Sequence, residues 1–295
     1  MDVGDITTEH AARLRSLDPL LPEPPTLAGE VRSAGGAAGV ASFQEWPAGS
    51  LSRTWQPARR HRLDVRLAGP DQAGDLGKLV DRWLADLPAE TAGDPDCAAV
   101  VDLPSRDVAA VPALIARGFV PVAVAAVRRA SSPTPADGVR PATPADLDAA
   151  VRLNLEVVAY DAHFGKVTMR ADSGALLADG LRERLARPGA WVAERDGGVV
   201  GLVTVQVPPE SDWAAGLTSA PVAGYLETMS VTSALRGSGI GSALVSHAHA
   251  ALDAVTPVTV LHHALANPLS TPFWYRHGYR PLWTTWQRRP ATPAG

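Results

Sequence analysis

The chain has 295 residues, of which 46% are hydrophobic and 20% charged, as expected for a globular protein of one large or two ordinary domains. The net charge of −4 argues against a nucleic-acid surface, and no apolar run approaches the roughly 20 residues of a membrane helix. Cys97 is the only cysteine, which excludes an intrachain disulfide, and the N-terminus lacks the basic-then-apolar layout of a signal peptide. We therefore expect a cytoplasmic protein with neither nucleic acid nor membrane as a partner.

The N-terminal half predicts a helix at Gln72–Leu87 and a short apolar strand at Cys97–Leu103. The turn ahead of this helix, Ala68–Asp75, contains the carboxylates of Asp71 and Asp75. These carboxylates would repel a phosphate group if they line the turn, because like charges at close range oppose binding. We therefore expect no phosphate site in this half.

A polar stretch rich in Pro and Ser, residues 128–138, is typical of a linker. We place the linker itself at 131–138, which divides the chain into domains at 1–130 and 139–295. The motifs that carry chemistry all lie in the C-terminal domain.

The C-terminal domain begins with a predicted strand, a capped helix and a hairpin. Val139–Asp148 predicts a strand and a turn into a helix, with Thr143 or Asp146 as the cap. Two apolar segments, Trp191–Arg195 and Val199–Val205, flank a glycine-rich turn, which predicts two antiparallel strands.

A long segment without predicted secondary structure, Pro208–Gly224, separates this hairpin from the next strand, and loops of this length are often functional or disordered. Trp213 is its most informative residue, because a lone indole in a polar loop often covers a ligand or a partner surface. Glu210 and Asp212 could attract a cationic amine or be ordinary solvated charges, and we favour the second interpretation.

The most informative part of the chain is a strand, a glycine-rich turn and a helix. Tyr225–Val231 predicts the strand, Arg236–Gly241 the turn, and Gly239–Ala248 the start of the helix. Glycines let the main chain approach a ligand closely, and the first N–H groups of a helix bind anions at the positive end of its dipole. We therefore expect this turn to bind a pyrophosphate.

The glycine spacing excludes two other phosphate-binding loops. No Lys follows Gly241, as the loop of nucleoside triphosphatases requires, and Gly237-x-Gly239-x-Gly241 differs from the Gly-x-Gly-x-x-Gly of dinucleotide-binding domains. The pattern that remains is Arg-x-x-Gly-x-Gly.

A second motif follows a predicted strand at Val258–Ala264. Asn267, Ser270, Trp274 and Gly278-Tyr279 succeed one another at steps of three, four and four residues. The steps of four place Ser270, Trp274 and Gly278 along one face of a helix.

Together the two motifs resemble those of the GNAT superfamily of acyl-CoA-dependent N-acetyltransferases, over about residues 139–287. The resemblance implies an α+β fold with a mixed, mostly antiparallel sheet flanked by helices. It also implies acetyl-CoA as the cofactor and transfer of its acetyl group to the primary amine of a small molecule. The residues implied in coenzyme binding lie on the strand, the turn and the second motif: Met229, Val231, Arg236, Gly237, Ser238, Gly239, Ile240, Gly241, Ser242, Asn267, Ser270 and Trp274.

Glu227 is the candidate catalytic base. Tyr225-Leu226-Glu227 resembles the same tripeptide in the diamine acetyltransferases, whose Glu is thought to deprotonate the amine through water. A carboxylate in a mostly apolar strand can have its pKa raised by desolvation, which suits a base. The alternative is a Glu that faces solvent or forms a structural ion pair.

The general acid is where the sequence departs from the family. Trp274 occupies the position that usually holds Tyr, and an indole N–H cannot protonate a thiolate. Tyr275 is adjacent, but neighbouring side chains on a helix point about 100° apart. Either Tyr275 is turned in as the catalytic acid, or the thiolate leaves unassisted, which a thiol pKa near ~8.5 permits.

The N-terminal domain repeats part of the C-terminal one. Pro112–Pro121 and Pro272–Pro281 carry their prolines and their Gly-aromatic pair at identical offsets, each after a helix and a strand. We interpret the N-terminal domain as a degenerate GNAT-like copy without the pyrophosphate loop.

The resemblance also places Tyr160–Lys166 where family members close over the acceptor, and Asp161 there could attract an amine. The histidines do not predict a metal site, because no pair has suitable spacing, although His262 or His263 could reach the cleft. Two other functions stay open, another acyl-thioester-processing enzyme and a non-catalytic acyl-CoA-binding module. A homodimer is an open alternative for the assembly.

Overall fold

The computed structural model describes residues 1–131 and 133–293. Residue 132 of the predicted linker and residues 294–295 of the predicted C-terminal domain lie outside the described residues. The described chain forms eight helices: α1 (Val3–Leu17), α2 (Ser52–Trp55), α3 (Gln72–Ala85), α4 (Val111–Ile115), α5 (Leu147–Ala162), α6 (Ser173–Leu185), α7 (Ile240–Asp253) and α8 (Ser270–Arg276). Within these residues, no helix combines the length and the apolar character needed to cross a membrane.

The same residues form eleven strands: β1 (Val31–Ala34), β2 (Ala37–Glu45), β3 (Arg59–Leu67), β4 (Cys97–Pro104), β5 (Val120–Arg129), β6 (Val139–Pro141), β7 (Ala190–Arg195), β8 (Gly198–Gln206), β9 (Gly224–Val231), β10 (Val258–Ala264) and β11 (Arg280–Arg288).

The chain divides into two compact units by its internal contacts. Unit 1 comprises Met1–Pro47, Pro57–Ala125 and Pro281–Gly295, and unit 2 comprises Ala48–Gln56 and Ala126–Arg280. Neither unit is one continuous stretch. Pro281–Gly295 belongs to unit 1, and the short segment Ala48–Gln56 belongs to unit 2. These units are defined by contacts, whereas the predicted domains were defined by a repeat in the sequence. The predicted domain boundaries therefore stay a prediction.

Unit 1 contains a sheet in the order β1-β2-β3-β4-β11. Its neighbours are antiparallel except β3 and β4, which run parallel. Helix α3 buries its apolar face on this sheet, with Leu76 and Leu79 fully buried and Trp83 stacked 6.4 Å from Phe119. The spacing of these residues at three and four positions explains why the segment forms an amphipathic helix.

Unit 2 contains a sheet in the order β10-β9-β8-β7-β6, in which only β9 and β10 run parallel. Helices cover both of its faces. Leu202 of β8 packs with residues of α5 and α6, whereas a Cβ on the preceding Gly201 would lie 2.7 Å from Leu244 of α7. The mixed, mostly antiparallel sheet with flanking helices confirms the predicted α+β class.

Local sequence signals explain the start of unit 2. Asp196 and Gly197 have φ angles of 53° and 76°, the left-handed pair that a two-residue hairpin turn requires, and they join β7 to β8 as predicted. Thr143 and Asp146 form a reciprocal capping box ahead of α5, so both predicted caps act together.

The predicted repeat agrees with the order of elements in the chain. The series β3-α3-β4-α4-β5 and β9-α7-β10-α8-β11 have the same succession of strands and helices. The first strand pair of each series is parallel. A common origin of the two series stays a prediction.

The prediction that residues 208–224 lack secondary structure is wrong. A 3₁₀ helix, Asp212–Leu217, lies within this segment. The buried Ser211 hydroxyl donates to the Ala223 carbonyl at 2.8 Å, which closes the segment at its base. Short 3₁₀ turns of this kind have no strong periodic signal in a sequence.

A buried ion pair holds the end of α7. The Arg128 guanidinium donates to both carboxylate oxygens of Asp253 at 2.7 and 2.9 Å, and the two side chains are only 6% and 4% exposed. Burial opposes ionisation of Asp253, but the hydrogen bonds from Arg128 and Ser131 outweigh it and lower the pKa of this carboxyl.

We predict that Asp253→Asn lowers the free energy of unfolding by about 3 kcal/mol or more, because it leaves the Arg128 charge buried without a counter-charge. Urea unfolding followed by circular dichroism measures the change. Asp196→Asn is the control, since this exposed turn residue is replaced by another that tolerates a positive φ. Equal stability of the two variants would refute the role of the ion pair.

Candidate active site

The glycine-rich turn ahead of α7 presents open main chain. Gly237 and Gly239 have φ angles of 84° and 89°, and a Cβ on either would meet no atom within 4 Å. Positive φ angles of this kind favour glycine, and the absence of side chains keeps the turn accessible. The predicted strand, turn and helix are all present here.

The first N–H groups of α7 have no protein partner. Gly239 is the N-cap residue, and no side chain among the described residues accepts from the start of this helix. The main-chain N–H groups of Gly237, Ile240 and Gly241 likewise make no hydrogen bond within the described chain. In unit 1, by contrast, the Asp71 carboxylate accepts from Gly74 N–H at 3.0 Å and caps α3 itself. Of these two helices, α3 starts with a side-chain cap and α7 does not, which leaves the first N–H groups of α7 without a protein acceptor in the described chain.

Glu156 of α5 shapes the turn from behind. Its carboxylate accepts from Ser233 N–H at 3.1 Å and lies 3.6 Å from the Arg236 guanidinium. Arg236 also donates from Nε to the Val231 carbonyl at 3.2 Å and lies over the Tyr160 ring at 5.6 Å. The Arg236 side chain thus ties the turn to its own domain, beyond the coenzyme contact that the sequence predicted for it.

Helix α8 supports the turn from the other side. A Cβ on Gly241 would lie 3.3 Å from the Phe273 ring, so the two helices pack closely at this glycine. His277 Nε2 lies 3.2 Å from the Ser242 hydroxyl. The Ser238 hydroxyl is engaged within the turn, where it donates to the Leu235 carbonyl at 2.7 Å.

Strands β9 and β10 share only a short ladder. Its two residue pairs are Gly224–Thr259 and Tyr225–Val260, and from Leu226 onward β9 has no ladder partner in β10 within the described residues. Met229 and Val231, which the sequence predicted to line the coenzyme, lie in this part of β9, where they pair with Val203 and Gly201 of β8. Among the described residues, this part of β9 therefore has a ladder partner on the β8 side and none in β10.

Glu227 is the extra residue of a β-bulge. Thr204 of β8 pairs with Thr228, and the next residue, Val205, pairs with Leu226, so Glu227 has no partner in the ladder. Bulges re-aim side chains and are frequent next to active sites. This one turns a carboxylate out of an otherwise apolar strand.

The Glu227 carboxylate is exposed and held by two hydrogen bonds. The Thr204 hydroxyl donates to Oε2 at 3.1 Å, and the Gln206 amide donates to Oε1 at 3.0 Å. The expected desolvation of this side chain is therefore wrong, because the bulge brings it to the surface.

Three rings beside Glu227 form a cluster, which we call the aromatic box: Trp213, Tyr225 and His262. The Trp213 ring lies 4.6 Å from Tyr225, edge to face, and 6.4 Å from His262, stacked. The Tyr225 hydroxyl lies 3.2 Å from His262 Nδ1. Burial, with the Lys166 charge second, lowers the pKa of His262 to about 3, so the imidazole is neutral.

The second motif starts at a buried amide. Asn267 Nδ2 donates to Asp161 at 2.7 Å, and its Oδ1 accepts from Leu269 and Ser270 N–H at 2.9 and 3.1 Å. Asn267 therefore fixes the start of α8, in addition to the coenzyme contact predicted for it. The Ser270 hydroxyl is buried and has no partner among the described residues.

Trp274 and Tyr275 point in different directions. Trp274 is 6% exposed and packs edge-on against Phe273 and Tyr279, and the coenzyme contact expected of it stays a prediction. Tyr275 is 36% exposed and lies 5.8 Å from the His263 ring. Burial raises the pKa of Tyr275, so its phenol is protonated at neutral pH.

Sequence reasoning missed Glu156, Thr204 and Gln206. Glu156 lies on a helix far from the glycine-rich turn in sequence, and nothing in its neighbours marks it. Thr204 and Gln206 lie on one side of β8, but the predicted strand ended at Val205, so the alternation of side chains in it could indicate Thr204 alone. Across residues 1–131 and 133–293, no group of three metal-ligating side chains is suited to hold a metal ion.

Comparison with known proteins agrees with this geometry. Residues 187–281 match the family model described as acetyltransferase (GNAT) domain. The GCN5-related N-acetyltransferase from Sphaerobacter thermophilus superposes with a TM-score of 0.54 at 14% identity, covering 88% of this chain and 78% of that one. The match to a GCN5-related N-acetyltransferase from Kribbella flavida covers 98% of this chain and 96% of that one at 13% identity, with a TM-score of 0.46. No curated protein matches the sequence. The likeness confirms the predicted GNAT fold.

We predict that acid destabilises unit 2 through His262. Its pKa is about 3 in the folded protein and near ~6.5 unfolded, so its stabilising contribution is present above pH ~6.5 and is lost as the pH falls toward 3. Between pH 7.5 and 5.5, His262→Gln should lose about 1 kcal/mol less free energy of unfolding than the parent protein. Urea unfolding at both pH values measures this.

Exposed His163→Gln is the control and should lose as much as the parent protein. An equal loss in His262→Gln would contradict an imidazole that is held neutral in the folded protein.

Proposed function

We propose that this chain, an acyltransferase with a GNAT domain, moves the acetyl group of acetyl-CoA to a primary amine of a small molecule by direct transfer. The bound coenzyme supplies a thioester carbonyl that an amine can attack. We expect the reaction to take place in the cytoplasm.

The observation that carries this proposal is the uncapped start of α7. Its free N–H groups and the two open glycines, Gly237 and Gly239, suit a pyrophosphate, because they combine main-chain donors with the positive end of the helix dipole. The remaining turn residues, Arg236, Ser238 and Ser242, would hold the shape of this cradle through the contacts described above.

The proposed place of the thioester is the part of β9 that, among the described residues, has no ladder partner in β10. Val231 lies beside the turn, since a Cβ on Gly241 would be 3.7 Å from its side chain, and Met229 lies two residues before it on the same strand. A main-chain N–H near Met229 would polarise the carbonyl, as an oxyanion-stabilising donor does in acyl transfer. From α8, the free Ser270 hydroxyl would complete the coenzyme contacts.

Glu227 is the proposed base. Its exposed carboxylate is oriented by Thr204 and Gln206 and can take a proton from the amine through one water as the new N–C bond forms. Tyr275 is the proposed acid, because its protonated phenol can give a proton to sulfur as the C–S bond breaks. Trp274 keeps α8 in place by packing in the core.

We propose that the N-terminal domain is a degenerate GNAT-like copy that does not bind the coenzyme. Asp71 fills the start of α3 that a pyrophosphate would otherwise occupy, and Asp75 accepts from Gly36 N–H at 2.7 Å. A helix start that carries two carboxylates does not attract a further anion.

We predict that Gly239→Val weakens acetyl-CoA binding at least tenfold, because a branched Cβ would occupy the space of the pyrophosphate. Isothermal titration calorimetry measures the affinity. The matched control is Gly138→Val, at another open glycine with a positive φ of 82°. Unchanged affinity in Gly239→Val would remove the basis of the proposed coenzyme site.

We predict that Glu227→Gln lowers kcat by about 10²–10⁴ while acetyl-CoA affinity is retained, because the variant lacks the base and keeps the turn. Product formation with an amine panel, followed by mass spectrometry, measures the rate. Glu194→Gln, on β7, is the control and should keep full activity.

Full activity of Glu227→Gln would exclude Glu227 as the base. Tight acetyl-CoA binding with no turnover of any amine in the parent protein would favour the non-catalytic alternative. Release of free CoA without an amine would favour a thioester-processing enzyme.

A further inference from the structure

The aromatic box is a built surface beside the proposed base. Trp213 and Tyr225 contact each other edge to face at 4.6 Å, and His262 completes the group through its 3.2 Å contact with the Tyr225 hydroxyl. The three residues come from the 3₁₀ helix after β8, from β9 and from β10. Residues from three elements therefore contact one another here, so the cluster is a built surface and not a single exposed indole.

The box is open on the side of Glu227. Trp213 is 50% exposed, Glu227 is exposed, and His262 Nε2 has no partner within the described chain. Burial raises the pKa of Tyr225 and lowers that of His262, so both rings are uncharged at neutral pH. Glu227 is therefore the charged member of this surface, and it is negative.

One glutamine joins the indole to the carboxylate. Trp213 Nε1 donates to Gln206 Oε1 at 3.0 Å, and Gln206 Nε2 donates to Glu227 Oε1 at 3.0 Å. The Gln206 amide is held in one orientation, because its oxygen accepts from the indole and its nitrogen donates to the carboxylate. Gln206 is thus a positioning residue that sets the distance between an aromatic face and a negative charge.

We propose that the aromatic box and Glu227 form the acceptor subsite, and that it selects alkylammonium acceptors without a negative charge on the carbon next to the amine. Aromatic faces attract an ammonium group through their quadrupoles, and Glu227 attracts the same charge. A carboxylate on the adjacent carbon would be brought toward Glu227 and repelled. This inference rests on the proposed acetyl transfer and names the class of its acceptor.

One cation also acts on this group. After burial, the charge of Lys166 is the second cause of the lowered pKa of His262. Burial lowers the pKa of Lys166, and the nearby Asp161 carboxylate opposes this change. Lys166 lies 5.7 Å over the Trp55 ring, so its ammonium has an aromatic partner outside the aromatic box.

The test uses three acceptors of matched shape: butylamine, norvalinamide and norvaline. Norvaline is butylamine with a carboxylate next to the amine, and norvalinamide carries a neutral amide there. We expect kcat/KM for butylamine and norvalinamide to exceed that for norvaline at least about tenfold. A preference for norvaline, with acetyl transfer intact, overturns the inference and leaves the proposed function standing.

The second measurement distinguishes the contribution of the aromatic box to acceptor binding from general effects of a substitution on the fold. Trp213→Ala should raise KM for butylamine about tenfold with kcat within about twofold, and Trp213→Phe should restore most of the loss, because it keeps an aromatic face. Trp46→Phe, in unit 1, is the control and should change neither constant. Unchanged KM in Trp213→Ala overturns the inference.

A binding measurement tests whether the subsite binds an alkylammonium ion in the absence of acetyl transfer. Titration of the full chain with butylammonium chloride should quench tryptophan fluorescence, and the quenching should disappear in Trp213→Phe. Absence of quenching in the parent protein overturns the subsite. Failure of acetyl-CoA to bind by calorimetry instead overturns the proposed function, so the two failures can be told apart.

Discussion

The site depends on one helix whose first N–H groups are left without partners. A side-chain cap at such a position would stabilise the helix by about 1 kcal/mol, and α7 has a glycine there instead. In α3, at the corresponding place in the other series of elements, Asp71 supplies that cap. The two helices therefore differ at their starts: a side chain accepts from the first N–H groups of α3, and none of the described side chains does so in α7.

The surroundings of α7 keep this start rigid without covering it. Glu156 holds the turn through Ser233 and Arg236, and Phe273 packs against Gly241 from α8. Neither support covers Gly239, since a Cβ on this residue would meet no atom within 4 Å. A turn that is held by such contacts before a ligand binds reduces the cost of ordering the site.

The bulge in β9 connects the cradle to the chemistry. One extra residue in the strand brings Glu227 to the surface, and the same strand carries Tyr225 into the aromatic box. The short ladder with β10 leaves the rest of β9 paired with β8 alone among the described residues. A bulge and an early end of pairing are small departures from a regular sheet, and both fall in the strand that carries the proposed base.

Local signals in the sequence were sufficient for the elements and for the glycine-rich turn. The hairpin at Asp196–Gly197, the cap at Thr143 and the helix after Gly239 each depend on residues close in sequence, so short-range chemistry determines them. Tertiary structure alone decided the exposure of Glu227, the burial of Trp274 and the meeting of Trp213 with His262. Those features depend on strand pairing and side-chain packing between distant segments, and neither a period nor a motif in one chain encodes the register that brings them together.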